Sequence, residues 1–432
     1  MSSAIIKAIQ YAGLGMLRIK KYFPGPLIER IKSRSAFKDN VGGRWRSGGP
    51  VMGLISLSLG VLDSLIALSP YVGDSASMAV SGEPQAESQC YKGLPNTTQD
   101  QIKLIHRARH IMGGSYNLKN AVIAFLVPLP SIFFYLSFLN HHDSANSPSY
   151  WSWCYHHPLL LANALFFLNV NVLFWLIGLI QSSHWMIDPY WTVIPVMLVH
   201  FYATHPLAHY DWWRSRIVIF LTWVWSVRLT HNYFRRERWQ WGAREDWRFT
   251  EMSHQYGKQW WWISFFAVYL SQQMFLIGLS LPLYGVHTVN KPLTMWDLVA
   301  TVVCLCGIVI AYFADTQLYE FISRNNKLKG LGKPVVPVLD SGLWYYCRHP
   351  NYFGEQLWWW GLFVFAWSLG LGWTFIGALV NSMCLAYVSM LVEDRMLKQE
   401  SRAEAFRVYQ KTTSVWVPWF KSSPFGVKTK NA

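Results

Sequence analysis

The chain has 432 residues, of which 52% are hydrophobic and only 14% are charged, and its formal net charge is +15. With its long apolar runs, this composition excludes an ordinary soluble protein and predicts an all-α, polytopic integral membrane helical bundle of about 8–10 transmembrane helices. The bases are scattered between apolar runs rather than gathered in one stripe. This argues against nucleic-acid binding and favours contact with anionic lipid or an anionic cofactor.

The first 180 residues divide into two predicted regions. Residues 1–50 carry many bases against only Glu29 and Asp39, which predicts a basic cytosolic N-terminal arm. Residues 51–180 are predicted to form an N-terminal transmembrane region. It contains a long polar loop at 73–120 with a sequon that begins at Asn96.

Apolar runs long enough to span a bilayer recur along the chain. The predicted spans are 51–72, 121–139, 159–180, 190–203, 214–230, 260–285, 295–314 and 356–392. The last run is long enough for two helices, and Gly370-Leu-Gly372 is the predicted turn between them. The histidine-rich segments of the sequence are not accompanied by carboxylates that could complete a set of metal ligands, so no metal site is predicted.

Polar side chains are unusually dense just before the last apolar run. They are Arg348, His349, Asn351, Tyr352 and Glu355. Pro350 is suited to the first turn of a helix, which would place Asn351 and Glu355 on one face. Free backbone N–H groups are then expected at Arg348 and His349, at a helix end that attracts anions. One capping residue would suffice for a junction anchored among headgroups, so we interpret this cluster as a functional site.

The segment Gly342-Leu-Trp-x-x-x-Arg348-His-Pro-Asn-Tyr-Phe-Gly-Glu355 resembles the steroid 5-alpha-reductase-like membrane family, most closely its largely uncharacterised branch. Four shorter matches occur in the same order: Ile187-Asp188-Pro189, Gly242-x-x-Glu245-Asp-Trp-Arg248, Ala314-Asp315 and Glu393-Asp394-Arg395. The likeness extends over a predicted catalytic domain at 181–420, which is followed by a C-terminal tail at 421–432.

The resemblance implies a helical membrane fold with a cytosol-facing pocket for NADPH and an entrance for substrate that faces the lipid. It implies a multi-pass protein of the endoplasmic reticulum. The implied cofactor-binding residues are Asp315, Arg348, His349, Asn351, Tyr352, Glu355, Glu393 and Arg395. Arg348 would lie near a phosphate, and Glu393 and Arg395 would close the pocket. No glycine-rich turn follows a strand, so a Rossmann site is not expected.

The expected activity is NADPH-dependent reduction of an activated carbon–carbon double bond in a lipid or sterol-like substrate. Tyr352 and Tyr409 are candidate proton donors by residue type. The Glu and Tyr that polarise the substrate carbonyl in steroid reductases have no counterpart that we can map. Two other classes remain open. One is an S-adenosylmethionine-dependent membrane methyltransferase of the prenylcysteine or phospholipid type, and the other is a lipid-binding membrane protein without turnover. Asp315, Asn351 and Glu355 favour the reductase.

Overall fold

A computed structural model describes residues 117–142 and 149–422, and those two ranges contain helices and no strand. The helices, in chain order, are α1 Asn117–His141, α2 Ser149–His156, α3 Pro158–Gln181, α4 Ile187–Thr204, α5 Trp212–Arg236, α6 Trp247–Val286, α7 Met295–Gly330, α8 Pro350–Ser368, α9 Phe375–Leu397 and α10 Glu400–Thr412. The predicted basic arm, the span at 51–72, the sequon at Asn96 and most of the C-terminal tail lie outside the described residues.

Five helical segments of the described chain are long and apolar enough to cross a membrane, and they are α1, α3, α6, α7 and Gly372–Leu397. The chain is therefore an all-α, polytopic membrane bundle, as its composition predicted. Helices α4, α5 and α8 form where further spans were predicted. The predicted turn at 370–372 is confirmed, because α8 ends at Ser368 and Gly370 adopts φ +90° before α9 begins.

Among the described helices, α7 and α8 share the most extensive contact. Small residues make this possible. A Cβ atom on Gly307 would lie 2.6 Å from the Gly354 carbonyl oxygen, and one on Gly361 would lie 2.6 Å from the Cys304 Sγ. Close backbone approach at small residues is the usual way in which membrane helices associate. The contact places the second half of α7, including Asp315, beside the first turns of α8.

Helices α5 and α7 run in the same direction, and two buried ion pairs join them, one near their first residues and one further along. Near their first residues, the Arg214 Nε donates to Asp297 Oδ1 at 2.6 Å, and the Nη2 donates to Oδ2 at 2.9 Å. Fourteen residues further along α5, Arg228 meets Asp315 of α7 at 3.3 Å. The two pairs fix the register of these helices, so the position of Arg228 is set by the fold as well as by its own contacts.

Candidate functional site

Helix α8 begins where the sequence predicted, with Pro350 at its first position and His349 as its N-cap. One expectation is corrected. The backbone N–H groups of Arg348 and His349 are not free, because they donate to the carbonyl oxygens of Ser414 and Val415 at 2.9 and 3.1 Å. The segment that follows α10 therefore lies alongside the approach to α8. This segment holds the polar cluster in place.

Arg348 joins three parts of the bundle. Its Nε and Nη2 donate to the two carboxylate oxygens of Glu393 on α9, at 2.8 and 3.2 Å. Its Nη1 donates to the carbonyl oxygens of Gln410 and Thr413, at 3.0 and 2.5 Å. The guanidinium group thus meets a carboxylate and two carbonyls, where the resemblance implied a phosphate. Such a buried, bidentate pair is geometrically specific.

Glu393 also organises the neighbouring side chains. Its Oε1 lies 3.0 Å from His349 Nε2, and its Oε2 accepts from Gln410 Nε2 at 2.8 Å. The His349 ring stacks on the Tyr352 ring, with centroids 4.9 Å apart and an interplanar angle of 14°. Glu393 therefore sets the orientation of His349, and His349 in turn supports Tyr352. We call Arg348, His349 and Glu393 the clamp.

A second polar cluster lies one turn further along α8. Arg228 of α5 forms ion pairs with Asp315 and with Glu355, and its side chain is only 5% exposed. Asn351 Nδ2 donates to Asp315 Oδ1 at 3.2 Å, and Trp225 Nε1 donates to Glu355 Oε2 at 3.0 Å. The cluster contains two carboxylates and one guanidinium. We call Arg228, Asp315, Asn351 and Glu355 the α5–α8 network.

Sequence reasoning did not include Arg228 or Trp225 among the candidate residues. The signal for Arg228 was present, because it is an ionisable residue inside the predicted span 214–230, and such residues are functional candidates by default. Trp225 gave no comparable signal. Its ring stacks on that of Trp358 in α8, with centroids 5.6 Å apart and an interplanar angle of 8°. Only the packing of α5 against α8 reveals its contact with Glu355.

A pocket of about 110 Å³ adjoins both clusters. Four of the predicted cofactor-binding residues line it, and they are Arg348, His349, Asn351 and Tyr352. Its other walls include Phe321, Trp344, Arg402, Phe406 and Tyr409. The Asn351 Oδ1 atom is buried and has no hydrogen-bond partner among the described residues. The pocket therefore combines aromatic walls with a polar atom that still needs a donor.

Two further predicted residues, Arg395 and Tyr409, make contacts within the protein. The Arg395 guanidinium carbon lies 4.4 Å from the centre of the Trp247 ring, and Arg395 does not line the pocket. Tyr409 lines the pocket, but its hydroxyl donates to the Trp344 carbonyl oxygen at 2.5 Å. Burial raises the pKa of Tyr409 above its usual range, so this hydroxyl keeps its proton at neutral pH. Tyr409 thus anchors the wall of the pocket to the main chain.

One comparison with known proteins covers the part of the chain that holds both clusters. The family described as "Protein of unknown function (DUF1295)" matches residues 174–413, which is more than half of the chain. A Schizosaccharomyces pombe protein described as uncharacterised is 25% identical over 301 residues, covering 64% of this chain and 84% of that protein. No solved structure matches the chain significantly.

Proposed function

We propose that this chain, which belongs to the DUF1295 family, is a membrane-bound NADPH-dependent oxidoreductase that reduces an activated carbon–carbon double bond of a lipid or sterol-like substrate. The observation that carries the proposal is the unpartnered Asn351 Oδ1 beside a pocket with aromatic walls. A nicotinamide carries an amide N–H that would satisfy this oxygen, and aromatic rings suit its flat face. The resemblance to the steroid 5-alpha-reductase-like family supports the same assignment.

Different residues of the pocket would bind different parts of such a cofactor. Asn351 would accept from the carboxamide, and the rings of Trp344, Tyr352 and Phe406 would pack against the nicotinamide or the adenine. Arg402 is the basic wall residue whose side chain has the fewest partners among the described residues, because its guanidinium makes one hydrogen bond, to Met396 Sδ at 4.0 Å. Arg402 is therefore our candidate for a phosphate. When bound, NADPH supplies the hydride.

The chain's own groups would exclude water and deliver a proton. The membrane bundle keeps bulk water from the site, which strengthens every electrostatic contact within it. Of the two candidate tyrosines, Tyr409 already donates its proton to a carbonyl oxygen. Tyr352 lines the pocket and is supported by His349 and the clamp. We therefore propose Tyr352 as the proton donor to the substrate.

A second candidate function is an S-adenosylmethionine-dependent membrane methyltransferase, and one observation favours it. In the α5–α8 network, two carboxylates share the Arg228 guanidinium, so these four residues by themselves carry a net negative charge when both acids are ionised. A negative site favours a cation such as a sulfonium over a pyrophosphate. Arg348 does not offset this charge, because Glu393 neutralises it. Direct comparison of the two cofactors separates these functions.

The test is the binding of tritiated NADPH and of tritiated S-adenosylmethionine to the purified full chain. We expect saturable NADPH binding that Asn351→Leu weakens about fivefold to tenfold, because one hydrogen bond is lost. Asn290→Leu, a substitution at an exposed residue before α7, is the control and should bind like the wild type. Binding of S-adenosylmethionine alone would move the chain to the methyltransferases. Equal NADPH affinity in Asn351→Leu and wild type would remove Asn351 from the site.

We further propose that the protein lies in the endoplasmic reticulum membrane, with the site facing the cytosol. The arginine-rich stretch 228–248 supports this orientation, because cytosolic loops are enriched in basic residues. A single cysteine introduced at Arg238 is expected to react with a membrane-impermeant maleimide applied from the cytosolic side of intact microsomes. Labelling only after the membrane is opened would place this loop in the lumen. A lumenal site could not draw on cytosolic NADPH.

A further inference from the structure

Two adjoining cavities are lined mainly by the first four helices of the described chain, away in sequence from the residues of the α8 pocket. One, of about 400 Å³, is lined by residues of α1, α3 and α4, with Trp223 of α5. The other, of about 540 Å³, is lined by α1, α2 and α3. They share Ser131, Leu165 and Asn169, and neither shares a residue with the α8 pocket. We call the two cavities together the groove.

Asn169 places an unused acceptor in the groove. The residue is 8% exposed and lies in a π-helical segment, Phe167–Phe174, a form of helix that often marks functional sites. Its Nδ2 donates to the Val127 carbonyl oxygen at 2.6 Å, and a carbonyl oxygen can only accept, so this contact fixes which way the amide points. No group among the described residues donates to Oδ1.

Ser131 stands at the same junction of the two cavities. Its hydroxyl, which can both donate and accept, has no hydrogen-bond partner among the residues that the structure describes. Both residues lie near the middle of their membrane spans, because α1 covers Asn117–His141 and α3 covers Pro158–Gln181. Polar groups at that depth have little water available, so they require partners from protein or ligand.

The geometry of the groove points to the chemistry of its occupant. We propose that it binds a neutral two-chain lipid with a free hydroxyl, of the diacylglycerol type. The hydroxyl donates to Asn169 Oδ1 and accepts from Ser131, and one acyl chain enters each cavity. The volumes lie within the range of about 300–1,000 Å³ that is usual for ligand pockets. This site is independent of the proposed reductase activity, because the groove and the α8 pocket have separate walls.

Other lipids fit the groove less well. A phospholipid would have to carry its charged headgroup to the middle of the bilayer, which is costly. A lipid that has only a carbonyl offers no proton to Asn169 Oδ1. A sterol has its hydroxyl at one end of the molecule, so it would fill one cavity and leave the other open. The polar pair lies between the two cavities, and this arrangement matches a hydroxyl flanked by two apolar arms.

The experiment is photolabelling of the full chain in phosphatidylcholine nanodiscs. The probe is a diacylglycerol with a diazirine in one chain, and the matched probe is its O-methyl ether, which cannot donate a hydrogen bond. We expect saturable labelling of α1 and α3 peptides by the diacylglycerol, and about fivefold less by the ether, since one hydrogen bond is lost. Equal labelling by the two probes, or preferential labelling by a photoactivatable sterol alcohol, would overturn the assignment.

Variants connect the labelling to the named residues. Asn169→Leu should reduce labelling, but it also removes the contact with Val127, so two further variants are needed. Ser131→Ala removes only the hydroxyl and should lower labelling by about twofold to fivefold. Leu165→Trp should abolish it by filling the junction. Ser137→Ala, on the same helix but outside the groove, is the matched control and should label like the wild type. If Ser131→Ala and Ser137→Ala label equally, Ser131 does not bind the lipid.

Discussion

Replacement of Arg228 by leucine is expected to lower the free energy of unfolding by about 3–5 kcal/mol, because it removes one partner from a buried ion network. Asp315 and Glu355 would remain with no guanidinium between them, at side-chain exposures of 10% and 14%. Their remaining contacts, with Asn351 and Trp225, each satisfy one oxygen. Neither contact supplies a positive charge. The two acids would therefore repel each other at the start of α8.

Thermal unfolding of the detergent-purified protein, followed by tryptophan fluorescence, measures this effect. Arg216→Leu is the matched control, because Arg216 lies on the same helix, is exposed, and lies over the Trp212 ring in a cation–π geometry. Its cost is expected to stay within about 0.5 kcal/mol. Adding Glu355→Gln to Arg228→Leu should recover part of the loss, because one of the two unpaired charges disappears. Equal stabilities of the Arg228→Leu and Arg216→Leu proteins would refute the network.

The sequence predicted the helices well because membrane spans are determined by local composition. Apolar runs must form helices in a bilayer, since every backbone polar group has to be satisfied within the segment. The turn at 370–372 was predictable for a related reason, because Gly370 tolerates a positive φ that other residues rarely adopt. Neither feature depends on contacts between distant parts of the chain. Both features could therefore be predicted from residues that are neighbours in the sequence.

Only part of the site was predicted, because some of its residues are neighbours in the sequence and others come from distant parts of the chain. Pro350 marks the start of α8, so the residues from Arg348 to Glu355 could be assigned to one helix end from the sequence alone. The partners could not, since Glu393 and Arg228 lie 45 and 127 residues from the groups they meet. The segment that follows α10 contacts Arg348 and His349 through the main-chain carbonyls of Ser414 and Val415, and main-chain contacts cannot be recognised from residue type. The start of α8 was expected to offer free N–H groups to an anion. Because of these long-range contacts, its polar groups are bonded within the protein.

Replacement of Glu393 by leucine is the second change with a large expected effect. The carboxylate accepts from Arg348, His349 and Gln410, so its loss leaves the buried Arg348 guanidinium with only carbonyl partners. We expect a loss of about 3–5 kcal/mol in the free energy of unfolding. Asp394→Leu is the matched control, because Asp394 is the next residue on α9 and is exposed. It should leave stability nearly unchanged.

Other substitutions at the same position test whether the clamp supports the pocket or only the fold. Glu393→Gln preserves the shape of the side chain and removes its charge, so it should fold better than Glu393→Leu while still loosening His349. If the clamp positions Tyr352 through His349, Glu393→Gln should lower turnover of a lipid enone more than it lowers NADPH affinity. The double variant Arg348→Met with Glu393→Leu removes both charges and should regain stability without regaining turnover. If the double variant recovered both stability and turnover, the clamp would be only a structural ion pair.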